Sequence, residues 1–327
     1  MGARPEVASG LSAQRTGPPG AAMVQLEHVG CDLCGSAEYR VRYRQPDTWT
    51  RLIPFEFPVV ECRSCGLVYV NPRPTQESMR SFYPPGYHTR GEATHEARYA
   101  LQTQMLPDLS GKRLLDLGCA EGDFLRFLRR RHPGATLCGM DFYAPPASVE
   151  GVELFRGDLS EAPFPAGSFD IVTAWAVLEH VHAPLRHFRE IHRLLAPGGR
   201  FLCLVTNAES LYGRRAHRED IPRHLHHFSE RTLHGYAGLS GFRLESCLHD
   251  DSIFDGRGTG SFWHGLTALA GAGWERRLDC RFTIAQKVAA RLGGLLDRVV
   301  FATHWEALLG RSGIVIATFV REERTSS

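Results

Sequence analysis

A chain of 327 residues suits one large domain plus a small module, and its 43% hydrophobic content is enough for a sizeable core. The formal net charge of only +2, with arginines scattered along the chain, points away from nucleic acid as a partner. No apolar run approaches the roughly eighteen residues that span a bilayer, and the N-terminus lacks a secretory pattern, so a cytoplasmic protein is expected.

Residues 1–25 are rich in Gly, Ala, Pro and Arg without periodicity and predict a disordered tail. Residues 26–75 hold two C-x-x-C pairs, Cys31 with Cys34 and Cys62 with Cys65, each followed by glycine (CDLCG, CRSCG). In a cytoplasmic chain such pairs read as metal ligands rather than disulfides. Two knuckles on adjacent hairpins complete a site of four thiolates with no open position, which predicts a structural zinc in a ribbon-like module. Residues 76–110 form a turn-rich aromatic connector, SFYPPGYH, followed by a helix over 94–110.

From residue 111 to the end the pattern is a strand–helix alternation. Strands are expected at 113–117, 136–140, 152–155, 169–175 and 200–205, and helices at 123–131 and 184–195, the latter stopped by Pro197, Gly198 and Gly199. This rhythm predicts an α/β fold: a Rossmann-like, seven-stranded, mostly parallel sheet with helices on both faces. Residues 206–250 are polar and His-rich, with a short helix over 232–239. Residues 262–310 are largely helical, and IVIATFV reads as a closing strand. The region 206–310 is the expected substrate region, with Phe254, Phe262 and Trp263 as candidate pocket aromatics.

The stretch LLDLGCAEGDFL, residues 114–125, carries the strongest functional signal. A buried strand delivers Asp116, then Gly118 and Gly122 turn tightly into a helix, where open α/β sheets bind ligands. The loop lacks the G-x-G-x-x-G spacing of a dinucleotide site and the G-K-[ST] of a triphosphate cradle, which argues against NAD and ATP.

DLGCAEG resembles the first motif of the class I S-adenosylmethionine (SAM)-dependent methyltransferases, with Ala120 where a glycine is usual. Further matches follow in the family's order over about residues 112–205: GMDFY, RGDLSEAPFPAGSFD, FDIVTAWAVLEHV and LLAPGGRFLCLV. The resemblance implies that Asp116, Gly118, Cys119 and Gly122 surround the amino-acid part of SAM. It implies that Asp141 bonds the ribose hydroxyls, that Phe142 packs on the adenine, and that Asp158 with Leu159 meets the adenine edge. Trp175, at the end of the fourth strand, completes the implied set. The four-cysteine module and the connector VYVNPRPT…FYPPGYH are similar to bacterial methyltransferases that act on small molecules such as nucleotide-linked sugars and polysaccharide precursors.

Methyl transfer to an alcohol or carbon acid needs a base, and histidine suits that role near neutral pH. Glu179 and His180 follow the fourth strand, and DIPRHLHHFS resembles the family's His-x-x-x-Phe-Ser segment, in which His224 would point toward the acceptor. The expected partner is a small molecule with an O, N or C acceptor atom; nucleic acid is not expected, and a homodimer is left open. An RNA base methyltransferase and a non-catalytic SAM-binding protein are the alternatives. The near-neutral charge and AWAVLEH in place of an N-P-P-Y loop disfavour the first, and the intact glycine loop disfavours the second.

Overall fold

A computed structural model describes residues 24–83, 95–142, 148–210, 220–250, 253, 261–272, 281–302 and 305–322. The N-terminal part contributes β1 (Leu26–Glu27), β2 (Tyr39–Pro46), β3 (Glu56–Cys62), β4 (Val68–Val70) and β5 (Arg73–Pro74), then α1 (Gln76–Met79) and α2 (Glu96–Gln104). Of the expected tail at 1–25, residues 1–23 lie outside the described residues. Its last two residues are ordered: Val24 is buried, and Gln25 pairs through its backbone with Ser78 and Thr75.

The α/β unit runs β6 (Arg113–Leu117), α3 (Asp123–Arg131), β7 (Thr136–Asp141), β8 (Val152–Arg156), β9 (Phe169–Trp175), α4 (Pro184–Leu194) and β10 (Leu195–Thr206). It continues through β11 (His226–His227), α5 (Glu230–Ser240), β12 (Phe242–Leu248), α6 (Ser261–Leu269), α7 (Ile284–Ala302), α8 (Trp305–Leu308) and β13 (Ile314–Arg321). In this unit the expected boundaries hold within a residue or two, except that β10 begins early, with a register shift between Leu195 and Arg200; ahead of it, the helix expected over 94–110 spans only Glu96–Gln104.

Seven strands form the main sheet in the order β12-β13-β10-β9-β6-β7-β8. The pairs from β10 to β8 are parallel, and β13 is antiparallel to both β10 and β12. The chain leaves β6 toward β8 and then returns to β9 on the other side. That reversal opens a crevice at the carboxyl ends of β6 and β9, the position where such sheets receive ligands. The central strand β6 is buried on both faces: Leu114 joins a core with α3 (Leu125, Leu128), and Leu115 and Leu117 join a second core with α4 and α5 (Phe188, Tyr236). Local signals agree with these elements. Pro184 opens α4, and α5 begins with a reciprocal Ser229–Thr232 cap.

The cysteine module is not a separable bead. Its sheet has the order β11-β4-β3-β2, so its fourth strand comes from the far side of β10. His226 lies opposite Tyr69 and His227 opposite Val68. Cys31, Leu33, Cys62 and Tyr69 share one core with Leu115, Phe188 and Phe319. The stretch expected as a polar loop is therefore interior: Arg223, His226 and His227 are at most 4% exposed. Burial, with Arg73 nearby, pushes the His226 imidazole well below its ordinary range, so it is held neutral.

Candidate active site

The switch point holds a cavity of about 580 Å³. Its walls come from the carboxyl ends of four adjacent strands, β7, β6, β9 and β10, and from segments leading into and out of the cysteine module.

On the β6–β7 side the loop after Leu117 turns back under the cavity. Gly118 has φ +69°, and a Cβ there would collide with Val177 Cγ2, so only glycine fits this close approach. Ala120, at φ +45°, takes the left-handed conformation that a glycine adopts without strain, and its N–H donates to Asp141 Oδ2 at 3.0 Å. That bond fixes the carboxylate of Asp141 on the cavity wall beside Phe142. Asp158 and Leu159 also line the wall. Burial works to raise the Asp158 carboxyl, but Ser160 N–H and Oγ–H both donate to its Oδ1 and hold it below the usual carboxylate range.

Three of the expected cofactor residues stand behind the wall. Asp116 is buried beneath the loop and accepts from Thr173 Oγ at 2.7 Å; burial pushes its carboxyl up to about 7. Cys119 is buried against the β7 backbone at Gly139. Gly122 is the left-handed residue that starts α3. None of the three lines the cavity. Trp175 does, and its buried Nε1 has no hydrogen-bond partner among the described residues.

On the β9–β10 side the cavity meets a cluster of titratable groups. Glu179, His180 and His224 bring their ligand-type atoms within 4.8 Å of one another. The His180 and His224 rings meet edge-on with centroids 4.5 Å apart. His224 Nε2 stands 3.9 Å from Asp220, and His180 Nδ1 lies 3.2 Å from Tyr83 Oη. Burial pushes the Glu179 carboxyl up to about 8, and Asp220 adds to the rise. The backbone explains why these groups converge. Leu225 N–H donates to Glu179 O at 2.7 Å, and Val70 N–H donates to Leu225 O at 2.9 Å, so the cysteine module's sheet holds both segments.

All three sequence-derived catalytic candidates thus share one wall. Tyr83, Arg98, Arg186 and Asp220 also line the cavity. Tyr83 sits in the SFYPPGYH connector that the sequence singled out, but its approach to His180, 97 residues away, has no local signature. The expected pocket aromatics are corrected. Phe262 and Trp263 pack against α7, where Asp297 receives their N–H groups, and they do not line the cavity. Phe254 lies outside the described residues.

The four cysteines come together at the edge of this assembly. Cys31 Sγ is 3.4 Å from Cys65 Sγ, Cys34 Sγ is 3.5 Å from Cys62 Sγ, and all four sulfurs fall within 4.8 Å. Gly35 N–H to Cys31 O and Gly66 N–H to Cys62 O close the two knuckles. Burial pushes the Cys65 thiol up to about 11. At Cys62, backbone N–H groups of Cys65 and Ser64 overcome burial and bring the thiol down to about 7.

Residues 89–246 match the family described as a methyltransferase domain. Over 128 residues the chain is 30% identical to a demethylmenaquinone methyltransferase of Lactococcus lactis, covering 36% of this chain and 51% of the relative. Over 103 residues it is 38% identical to the Thermus thermophilus protein of the same name, covering 28% and 46%. The chain spans about half the length of the curated relatives it matches. A solved complex between the Haloferax volcanii Trm112 methyltransferase activator and a methyltransferase shares the fold, at TM-score 0.50 and 19% identity over 75% of this chain and 98% of that one. The matched stretch, residues 89–246, is a methyltransferase domain.

Proposed function

We propose that the protein transfers the methyl group of SAM to a small-molecule acceptor bound against the His224 wall, and that the four cysteines hold a structural zinc. One observation carries the reading: a single cavity joins the Asp141–Asp158 wall to the Glu179–His180–His224 wall.

The residues fit both groups. For SAM, Gly118 lets the loop backbone pack against Val177 on the cavity wall, Asp141 is pinned at the end of β7, and Phe142 and Leu159 offer apolar surface for a base. Asp141 would hold the ribose hydroxyls and Asp158 the adenine edge. Asp116, Cys119 and Gly122 would shape the loop from behind rather than touch the cofactor. For zinc, four sulfurs at these spacings match a closed tetrahedral thiolate site.

When bound, SAM supplies an activated methyl group that is displaced in line. The protein's part is alignment and proton removal. His224 takes the acceptor proton, and Asp220 beside it steadies the charged imidazole. His180, fixed by Tyr83 and by the Arg223 carbonyl, positions the His224 ring, and Glu179 is a buried acid at the same wall. The acceptor classes this reading admits are hydroxyl, amine or acidic C–H groups of secondary-metabolite, sugar-nucleotide or polysaccharide precursors. The relatives' names add quinone precursors.

The test uses SAM with a deuterated methyl group, incubated with the full chain and an extract of the source organism. The reading expects the label in one small molecule by mass spectrometry. Label in RNA, or in no fraction while SAM stays bound, would overturn it.

A further inference from the structure

α6 and α7 form an antiparallel pair whose inner and outer faces are inverted relative to an ordinary surface hairpin. The face that α7 turns toward α6 is small and polar. A Cβ on Gly293 would meet Trp263 Cα at 2.5 Å, so the two helices touch backbone to backbone there. Asp297, 6% exposed, accepts from Phe262 N–H and Trp263 N–H at 2.9 Å each and caps the first turn of α6. Near the other end Gln286 Nε2 donates to Ala270 O at 3.2 Å. Close small-residue contact and satisfied polar groups on the inside are how helices pair in lipid.

The outer face is apolar. Ile284, Val288, Leu292, Leu295 and Val299 are 83%, 61%, 51%, 58% and 52% exposed. Their steps of four, four, three and four residues place them in one stripe along the helix. Along one border of that stripe run Lys287, Arg291 and Arg298, all exposed. Asp297, the sole acid of α7, points inward. Among the described residues no helix is long and apolar enough to cross a membrane, and α7 has the other signature: an apolar stripe with a basic border, suited to lying in the interface plane.

We infer that α7 seats on an anionic lipid surface. The stripe enters the boundary between headgroups and acyl chains, and Lys287, Arg291 and Arg298 meet the lipid phosphates. Charge selects this occupant over a second copy of the chain. A two-fold pairing would bring the same cationic row of each copy against the other, with no exposed acid on α7 to answer it. The inference stands apart from the acceptor assignment, since it concerns a surface outside the cavity.

The experiment is co-sedimentation of the full chain with vesicles. One set is phosphatidylcholine alone; the other mixes phosphatidylcholine with phosphatidylglycerol. The chain should sediment with the anionic vesicles and weakly with the neutral ones. Lys287→Ala/Arg291→Ala/Arg298→Ala should lower the partition coefficient roughly 100-fold at low salt. Leu292→Gln/Leu295→Gln should lower it at least ~10-fold, with circular dichroism unchanged for both variants. Failure to sediment, or retention by the triple variant on anionic vesicles, overturns the inference. So does a wild-type dimer in light scattering that disperses in the Leu292→Gln/Leu295→Gln variant, which would make a second copy the occupant.

Discussion

Asp32, between the first two cysteines of the sulfur cluster, accepts a 2.8 Å hydrogen bond from the backbone N–H of Leu185 in the first turn of α4. The same Oδ2 accepts from Tyr236 Oη of α5 at 3.0 Å. One carboxylate therefore ties the cysteine module to two helices of the methyltransferase domain, and residues just ahead of and within α4 (His182, Ala183, Arg186, His187) line the cavity. Burial pushes the Asp32 carboxyl up, and its hydrogen bonds offset part of that cost.

Replacing this carboxylate should loosen the join without touching the sulfurs. Asp32→Ala should lower unfolding free energy by about 2 kcal/mol, the worth of hydrogen bonds to a charged group. Urea denaturation measures the loss. Metal analysis should show zinc content unchanged, and a parallel loss of zinc would mean the carboxylate acts on the knuckle instead.

Because β4 pairs with β11 and the cysteines share a core with Phe188 and Phe319, metal loss should be felt throughout the chain. Cys62→Ser should lower zinc stoichiometry and move one cooperative thermal transition downward. Calorimetry checks this. Two transitions, with the larger one unmoved, would show that the module unfolds on its own.

His224 is assigned the acceptor's proton. His224→Gln should lower kcat by about 10²–10⁴-fold, while equilibrium SAM affinity stays as in the wild type. Stopped assays with the identified acceptor and a SAM titration separate the two. An equal loss of SAM affinity would move His224 from the acceptor to the cofactor side.

Glu179 gives a pH signature. Its carboxyl is raised from 4.5 to about 8, chiefly by burial, so the folded state holds the proton more tightly than the unfolded chain. Its contribution to stability is fully present below about pH 4.5 and is lost as pH rises through about 8. Asp116, raised to about 7, bends the curve the same way. Glu179→Gln should flatten the decline in Tm across that window, as followed by circular dichroism. An unaltered decline would assign the effect elsewhere.

The sequence was most legible where one local pattern carried one element. LLDLG predicts β6 and its glycine turn, DFLRFLRRR predicts α3, and the C-x-x-C pairs predict the sulfur cluster, because each depends on neighbours within a few residues. β12 was hidden: it is an edge strand whose apolar residues are interrupted by Arg243 and Glu245 and are mostly half-buried or exposed, so it reads as polar chain. β11 was hidden for a different reason. His226 and His227 carry no strand propensity signal, and their conformation is set by Val68 and Tyr69, more than 150 residues earlier. Shorter but still non-local separations concealed Tyr83 beside His180 and Asp220 beside Glu179. Asp116 was placed on the cavity by analogy with its motif; the strand's pleat turns it toward Thr173.

SAM binding by isothermal titration, with wild type and Asp141→Ala compared side by side, tests the central claim most directly. The wild-type chain should bind one SAM. Asp141→Ala should bind it roughly 10- to 100-fold more weakly, the cost of losing charge-assisted bonds to two hydroxyls. Equal affinity in the two proteins, or no binding to the wild type, would contradict the assignment of this cavity as the cofactor site.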